Sequence, residues 1–245
     1  MSSAPIISFD EIDSTNAEAR RRVEAGEVGP LWLTALRQTA GRGRRGRQWQ
    51  TETGNLAATY LFTTTRSPAE AAQVAFVAAL AVADLAEHFA PAGAPRLKWP
   101  NDLLLQGRKS AGILVESGTV ASGELWLAVG IGVNLAHAPD PGPDAALPTT
   151  WLGAFMPGPP PSPGAALPIL AAALDHWLTL WSTQGFPAIA RAWTARAHGL
   201  GQSCIARLPN ESIIGVAEGL DADGALRLRG VDGLVRRITA GDVFF

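Results

Sequence analysis

A short segment rich in arginine and glycine carries the strongest chemical signal in this chain. Four arginines and three glycines lie within Gly41–Arg47, and Trp49 follows shortly after. Glycine lets backbone N–H groups approach an anion, while the planar guanidinium of arginine matches phosphate or carboxylate. We therefore predict a loop that closes over an anionic ligand, with Trp49 as an apolar plate for a nucleobase. A solvated basic loop and a nucleic-acid contact are the alternative interpretations of these residues.

The two lysines of the chain also stand where a ligand could meet them. Lys98 and Lys109 are the only lysines among 20 basic residues, and the rest are arginine. Lys98 ends a predicted strand, and Asn101 and Asp102 follow a turn that Pro100 fixes. A lysine with a nearby carboxamide and carboxylate suits polyphosphate and magnesium, whereas a lysine–aspartate surface pair is the plain alternative. Lys109 begins another strand, where it either meets a ligand carboxylate or discourages pairing at a strand edge.

Glycines inside an apolar strand give the next signal. Gly130 and Gly132 interrupt a strand predicted for Leu125–Asn134. Glycine weakens a strand unless something must approach its backbone closely. Asn134 ends this strand with an amide that suits a polar base edge or a ribose. A bulge with a capping asparagine is the simpler interpretation.

Strands and helices that alternate along the chain must position these residues. Apolar runs predict strands at Ile6–Phe9, Leu31–Leu36, Asn55–Thr63, Arg96–Lys98, Leu103–Leu105, Ala111–Glu116 and Leu125–Asn134. Helical spacing predicts helices at Asn16–Glu24, Pro68–Phe89, Leu167–Gln184 and Pro187–Ala197. The proline-rich stretch Pro139–Pro168 is expected to be an irregular connection.

The last part of the chain changes character after Gly199. Short alternating runs predict strands at Ser203–Leu208, Ser212–Leu220, Ala225–Arg229, Val235–Thr239 and Asp242–Phe245. Five short strands separated by turns indicate a small β-barrel. The fold class is therefore α/β (α+β), with a core over residues 1–199 and a β domain over residues 200–245.

Composition narrows the class of protein further. The chain has 245 residues, a net charge of −2, 47% hydrophobic residues and one cysteine. It is long enough for a substantial core, and it lacks the global charge that attracts nucleic acid or anionic membranes. A single cysteine excludes an internal disulfide framework. The most apolar run, Val74–Leu85, falls short of the roughly 20 residues that span a bilayer, and no secretory signal is apparent. We expect a soluble cytoplasmic protein that does not bind membranes.

Five stretches in this order resemble the motifs of biotin protein ligases, also called biotin–[acetyl-CoA carboxylase] ligases. They are Asp13–Asn16, Gln38–Arg47, Lys98–Asp102, Lys109 with Ala111–Glu116, and Gly130–Asn134. The resemblance covers nearly the whole chain and includes Gly219–Asp221 and Gly224–Leu226 near its end. It implies a mixed central sheet with flanking helices, followed by an SH3-like β-barrel.

The resemblance implies an ATP-dependent ligase that works in two half-reactions. The carboxylate of biotin attacks the α-phosphate of ATP in the presence of Mg²⁺, which gives biotinyl-5′-AMP and pyrophosphate. A lysine of a biotin carboxyl carrier domain then attacks the mixed anhydride and releases AMP. The implied partner is therefore the carrier protein of a biotin-dependent carboxylase.

By position in the motifs, the resemblance also assigns residues to each ligand. Those assigned to biotin are Ser14, Thr15, Asn16, Gln38, Arg42, Gly43, Arg44, Lys109, Gly112, Gly130 and Gly132. Those assigned to ATP or the adenylate are Arg44, Arg45, Arg47, Trp49, Lys98, Asn101 and Asn134. Lys109, Arg44 and Asp102 are the catalytic candidates, and Asp102 either contacts Mg²⁺ or deprotonates the incoming lysine.

Departures from the family pattern give further expectations. The first strand begins at Ile6, which leaves no room for the DNA-binding helix-turn-helix of some relatives, so we expect no operator binding. Ser110 stands where an apolar residue is expected. Dimers in this family form by joining sheet edges, so a homodimer through a sheet edge is possible. A lipoate or octanoate ligase is the alternative enzyme, and a basic-loop nucleic-acid binder is the alternative of another class.

Overall fold

A seven-stranded mixed sheet forms the centre of the protein. The structure is a computed structural model that describes residues 4–140 and 147–245. The strands are β1 (Ile6–Ile12), β2 (Leu31–Gln38), β3 (Leu56–Thr64), β4 (Pro95–Lys98), β5 (Asp102–Leu105), β6 (Arg108–Thr119) and β7 (Leu125–Val133). Their order across the sheet is β1-β2-β3-β7-β6-β5-β4. Only β1 and β2 run parallel, and all other neighbours are antiparallel.

Helices cover both faces of this sheet. The first, α1 (Thr15–Glu24), packs on one face, where Ala19 meets the buried side chains of Leu31, Leu33 and Leu61. The helices α2 (Pro68–Ala71), α3 (Val74–Phe89), α4 (Pro163–Gln184) and α5 (Phe186–Ala195) belong to the other side. The main apolar core lies between α3, α4 and the sheet. This arrangement leaves the N-terminus of α1 beside the middle strands.

A small β domain closes the chain. Its strands are β8 (Ser203–Arg207), β9 (Ser212–Leu220), β10 (Leu226–Gly230), β11 (Val235–Ile238) and β12 (Asp242–Phe244). They form one antiparallel sheet in the order β11-β10-β9-β8-β12. All five strands predicted from the sequence are therefore present, within one or two residues at their ends.

Hydrogen bonds hold this domain, and the segment that leads into it, at the edge of the central sheet. The amide of Leu97 in β4 donates to the carbonyl of Arg196, and the amide of His198 donates to the carbonyl of Leu97, both at 2.8 Å. The indole N–H of Trp99 donates to the carbonyl of Gly224 at 3.1 Å. The end of the chain is thereby held beside the turn that follows β4.

Two helix predictions were wrong at their boundaries. The helix predicted over Pro68–Phe89 is two helices, because hydrogen bonds of the tighter i→i−3 kind replace the regular ladder around Gln73. The irregular connection predicted to reach Pro168 ends earlier. Ser162 caps α4 with its side chain and Pro163 occupies the first helical turn, so the helix begins there. Residues 141–146 of that connection lie outside the described residues.

The apolar helix α3 is a core helix. Within the described residues, one helical stretch, 68–89, is long and apolar enough to cross a membrane, but 72% of its most apolar window is buried inside the protein. Its side chains contact the sheet and the neighbouring helices, which accounts for its composition.

Candidate functional site

The predicted site residues converge on one cleft at the ends of the middle strands. The cleft lies between α1, the segment that follows β2, the turn between β4 and β5, and strands β6, β7 and β12. Its predicted lining residues are Ser14, Thr15, Asn16, Gln38, Arg42, Gly43, Arg44, Arg47, Trp49, Lys98, Asn101, Asp102, Lys109, Gly112, Gly130 and Gly132. Segments far apart in sequence therefore meet as the motif pattern predicts.

One end of the cleft is a chain of neutral hydrogen bonds at the start of α1. Ser14 caps the helix. The backbone N–H of Thr15 donates to Oε1 of Gln38 at 2.9 Å. The hydroxyl of Thr59 in β3 lies 2.8 Å from Oγ1 of Thr15 and donates to Oδ1 of Asn16 at 2.7 Å. This end presents amides and hydroxyls, as recognition of an uncharged polar group requires.

The two glycines of β7 are needed for packing inside the cleft. A Cβ added to Gly130 would overlap the carboxamide of Asn16, and one added to Gly132 would overlap the indole of Trp49. The sequence predicted that a ligand lies against this bare backbone. In the structure, the side chains of Asn16 and Trp49 lie against it.

Lys109 reaches across the same surface. Its ammonium lies 2.7 Å from Oδ1 of Asp102 and 5.6 Å from the ring centre of Trp49. A Cβ added to Gly112 would stand 3.5 Å from Nζ of Lys109, so the lysine side chain passes over that glycine. The lysine, the carboxylate and the indole thus form one wall of the cleft.

Two further cations line the cleft without a close ion pair among the described residues. Lys98 is only 4% exposed and makes no hydrogen bond or close ion pair within the described residues. Burial lowers the pKa of Lys98. The nearby cations Lys109 and Arg47 lower it further, whereas the carboxylates of Asp102 and Asp242 raise it. Burial also lowers the pKa of Arg44, whose Nη1 donates to Oδ1 of Asn101 at 3.2 Å. These two cations are oriented mainly by neutral surroundings.

The loop around Gly41–Arg47 folds over the cleft. Its backbone closes through a bond from the amide of Gly43 to the carbonyl of Arg47 at 2.7 Å, and another from Trp49 to Gly41 at 2.9 Å. Arg45, which adopts a left-handed conformation with φ 57°, lies in the short turn between these contacts. The predicted loop therefore has a defined fold that its own backbone hydrogen bonds close.

Carboxylates hold this loop at both ends. Nη2 of Arg42 donates to Oε2 of Glu116 in β6 at 3.0 Å. Asp242 in β12 accepts from Arg45 at 3.1 Å and also pairs with Arg47. The β domain therefore contributes a residue to the cleft.

The structure does not place Arg45 and Asn134 among the lining residues. Arg45 points to Asp242. Asn134 is buried under the segment after it, where its Nδ2 donates to the carbonyl of Thr150 at 3.0 Å, and its Oδ1 has no partner within the described residues.

Sequence reasoning gave no role to Thr59, Glu116 and Asp242. Glu116 was within a quoted motif, but Thr59 and Asp242 had no local signal.

The carboxylates that line the cleft suit a metal ion that is bound mainly by the phosphates of a nucleotide. Within residues 4–140 and 147–245, no group of three or more His, Cys, Asp or Glu side chains is arranged to hold a metal ion. Asp102 and Asp242 are the carboxylates that line the cleft. Mg²⁺ bound to ATP commonly takes only one or two protein carboxylates together with phosphates and water. A single contact from Asp102 fits that pattern.

Comparison with known proteins agrees with this geometry. The model of the biotin/lipoate A/B protein ligase family matches residues 8–134, and that of the biotin protein ligase C-terminal domain matches residues 199–245. The chain is 46% identical over 237 residues to biotin–[acetyl-CoA-carboxylase] ligase of Paracoccus denitrificans, covering 95% of this chain and 97% of that protein. It is 32% identical over 236 residues to the Mycobacterium tuberculosis protein of the same name, covering 94% and 85%.

The fold agrees as well. The biotin protein ligase from Aquifex aeolicus, solved in complex with biotin and ATP, matches with a TM-score of 0.80 and 25% identity, covering 98% of this chain and 97% of that one. The fold is thus shared with that protein over nearly the full length of both chains. The chain belongs to the biotin/lipoate A/B protein ligase family, as a biotin protein ligase.

Proposed function

We propose that this protein adenylates biotin with ATP and transfers the biotinyl group to a lysine of the carrier domain of acetyl-CoA carboxylase. In the first step a carboxylate oxygen of biotin bonds to the α-phosphorus of ATP, and pyrophosphate leaves. In the second step the amine of the carrier lysine bonds to the acyl carbon, loses a proton, and AMP leaves. The observation that carries this proposal is the single cleft that joins a neutral polar end to a strongly cationic end.

The neutral end suits the ureido group of biotin. An uncharged ureido group offers two N–H donors and one carbonyl acceptor. Thr15, Asn16 and Gln38 present both hydroxyl and carboxamide groups there, supported from behind by Thr59.

The cationic end suits the reaction itself. A carboxylate and a triphosphate repel each other, so their approach requires positive charge from several directions. Lys109 stands beside Gly112, where it can meet the biotin carboxylate and then the oxygens of the acyl phosphate. Lys98 and Arg44 lie deeper with Asn101, and we assign them to the phosphates of ATP.

Asp102 has two chemical options in this site. Asp102 would hold a Mg²⁺ that accompanies ATP through one carboxylate contact, and the ion would supply charge neutralisation at the phosphates. In the second step the same carboxylate can accept the proton of the attacking lysine. Its ion pair with Lys109 keeps it beside the acyl phosphate in either role.

The adenine subsite is the least formed part of the cleft. We assign it to Trp49 and Asn134, with Arg45 and Arg47 near the phosphates and ribose. The Oδ1 of Asn134, which has no partner within the described residues, is an acceptor suited to an exocyclic amine, but the base reaches it only if the covering segment at Thr150 moves. Trp49 now packs on Gly132, so a base on this surface requires the indole to shift.

Loop closure protects the intermediate. A mixed anhydride hydrolyses in water, so a loop that covers the cleft keeps water out and the adenylate in. Arg42, Gly43 and Arg44 lie in the part of the loop that lines the cleft. Residues 1–199 would form this catalytic unit, while residues 200–245 supply Asp242 to it.

Biotin-dependent exchange of labelled pyrophosphate into ATP tests the first step. We expect exchange with biotin and none with lipoate or octanoate, because their chains lack a ureido group for Thr15 and Gln38. Transfer to a carrier domain, compared with a carrier whose target lysine is alanine, tests the second step. Exchange supported by lipoate, or absent with biotin, would overturn the proposal.

Two expectations about assembly and location accompany this function. Among the residues that the structure describes, β5 pairs with β6 only as far as Gly112, and no strand pairs with residues 114–119 of β6 on that side. We propose this edge for a homodimer. Light scattering across a concentration series checks whether the protein dimerises.

We place the protein in the cytoplasm. The absence of operator and membrane binding stays a prediction, and a gel shift and vesicle flotation at physiological salt check it.

A further inference from the structure

Glu116 occupies a junction that the proposed chemistry does not use. It lies on β6, and its side chain is 32% exposed. One oxygen, Oε2, accepts from Nδ2 of Asn16 at 2.8 Å and from Nη2 of Arg42 at 3.0 Å. These two partners are 100 and 74 residues away in sequence. A single carboxylate therefore joins the start of α1 to the arginine loop.

The Asn16 side of this junction is buried and fixed. Nδ2 of Asn16 also donates to the carbonyl of Leu114 at 3.2 Å, so both of its hydrogens are engaged. Oδ1 accepts from Thr59 and faces the space over Gly130. Because the amide cannot rotate without breaking these bonds, Glu116 helps to keep Oδ1 directed into the pocket at the neutral end.

The Arg42 side of the junction is exposed and movable. Within the described residues, Glu116 is the side-chain partner of Arg42, which is 45% exposed. The opposite half of the loop has its own carboxylate, Asp242, which binds Arg45 and Arg47. Glu116 is thus the anchor of the half that lies over the neutral end of the cleft.

We propose that Glu116 is a positioning residue that couples closure of the Gly41–Trp49 loop to occupation of the neutral pocket. It contacts no reacting atom. The fixed amide of Asn16 orients the carboxylate, and the carboxylate holds Arg42, so the loop stays closed over a ligand in the neutral pocket only while this contact lasts. The consequence for catalysis rests on the proposed function, whereas the tether on the loop stands without it.

The variant Glu116→Gln tests the tether. The glutamine carbonyl still accepts from Asn16, but the charge that holds Arg42 is lost, so a roughly three- to tenfold weaker loop closure is expected. We expect trypsin to cleave after Arg44, Arg45 or Arg47 faster by that factor in the ligand-free protein. Glu124→Gln on the same hairpin is the matched control, since its carboxylate accepts from Ser122 and is remote from the loop. That control should cleave at the wild-type rate.

Kinetics separate positioning from a merely structural role. Glu116→Gln should raise the KM for biotin and the release rate of biotinyl-AMP, each by about the same factor as cleavage, and leave the KM for ATP and the melting temperature unchanged. Its effect should be largely absent in an Arg42→Gln background, since both changes break one contact. Glu116→Ala, which also releases Asn16, should raise the biotin KM further.

The outcomes distinguish this inference from the function on which it draws. A wild-type protein without biotin-dependent exchange would refute the function, and the trypsin comparison would still decide the tether. An active wild type whose Glu116→Gln variant keeps its loop cleavage and adenylate release within twofold would overturn the inference. Effects of Glu116→Gln and Arg42→Gln that simply add would do the same.

Discussion

Lys98→Met should make the protein more stable while it weakens ATP binding. Lys98 is 4% exposed, and no carboxylate forms a close ion pair with it within the described residues. An ammonium in such a position loses hydration without a full replacement. Methionine has a similar unbranched shape and no charge, so it can fill the site without a large cavity. The wild-type lysine is therefore retained at a cost to stability.

The expected magnitude follows from removing an incompletely compensated buried charge. Replacement of buried charged groups by apolar groups of similar volume stabilises proteins by about 1–4 kcal/mol in favourable cases. Asp102 and Asp242 partly compensate Lys98, so we expect the lower part, about 1–2 kcal/mol. For a chain of this length that corresponds to a rise of roughly 2–8 °C in melting temperature. The loss of one ammonium–phosphate contact should raise the KM for ATP about 10- to 100-fold.

The pH dependence gives an independent check with a defined sign. Folding lowers the pKa of Lys98 from its ordinary value of 10.5. The unfolded chain therefore holds the proton more tightly, and the stability of the wild type rises as pH increases from the folded-state pKa towards 10.5. The advantage of Lys98→Met is greatest below that window and shrinks within it. Calorimetric melting of both proteins at neutral pH and at the highest pH that both tolerate measures this difference.

The other lysine supplies the matched comparison. Lys109→Met removes the partner of Asp102, whose side chain is only 14% exposed. Removal of one member of a partly buried pair leaves the other uncompensated, so this variant should melt below the wild type. A Lys98→Met protein that is less stable than the wild type, or that keeps its KM for ATP, would show that our account of the buried ammonium is incorrect.

Three further predictions concern the loop and the core. Arg44→Gly removes a half-buried guanidinium that binds Asn101, so biotinyl-AMP should leave the cleft faster and label lysines of bystander proteins. An unchanged off-rate of biotinyl-AMP would count against closure of the loop over the intermediate. Asp242→Asn removes two partly exposed ion pairs worth about 0.5 kcal/mol each, so trypsin cleavage of the loop should become about two- to fivefold faster. This effect should add to that of Glu116→Gln, because the two changes release different arginines. Ser110 is fully buried, and its hydroxyl has no hydrogen-bond partner within the described residues. Ser110→Ala should therefore raise the free energy of unfolding, measured by thermal melts, by about 1 kcal/mol. A loss of stability would mean that the hydroxyl is hydrogen-bonded in solution.

The sequence predicted most of what lies near each motif along the chain. Apolar runs and turn residues are local signals, so the strand that leads to Lys98 and the strand that carries Gly130 and Gly132 were found within a few residues. The cleft arises because antiparallel pairing of β6 with β7 puts Gly112 opposite Gly132. We expected these site residues to meet because the order of the motifs resembles that of a known family. Hydrophobic periodicity alone does not specify which strands pair.

The unpredicted parts depend on contacts between distant segments. Asp242 meets Arg47 across 195 residues, and nothing in its short terminal strand distinguishes it from a solvated acid. Glu116 lies among partly buried and exposed residues of β6, and this local pattern is also that of an ordinary surface position. Asn134 was expected at an open strand end, but the chain returns at Thr150 and covers it. No periodic signal marked that return.

The cations of the cleft fall into two groups that divide the work of binding. Three are held by carboxylates: Arg42 by Glu116, Arg47 by Asp242 and Lys109 by Asp102. Each acid orients its cation before a ligand arrives, and the pair can remain while the other N–H groups of the cation bind the ligand. Lys98 and Arg44 have no close acid within the described residues; Lys98 is buried and Arg44 is half-buried. A triphosphate therefore supplies these two cations with the negative partner that the protein does not provide, while the first group stays oriented by its own carboxylates.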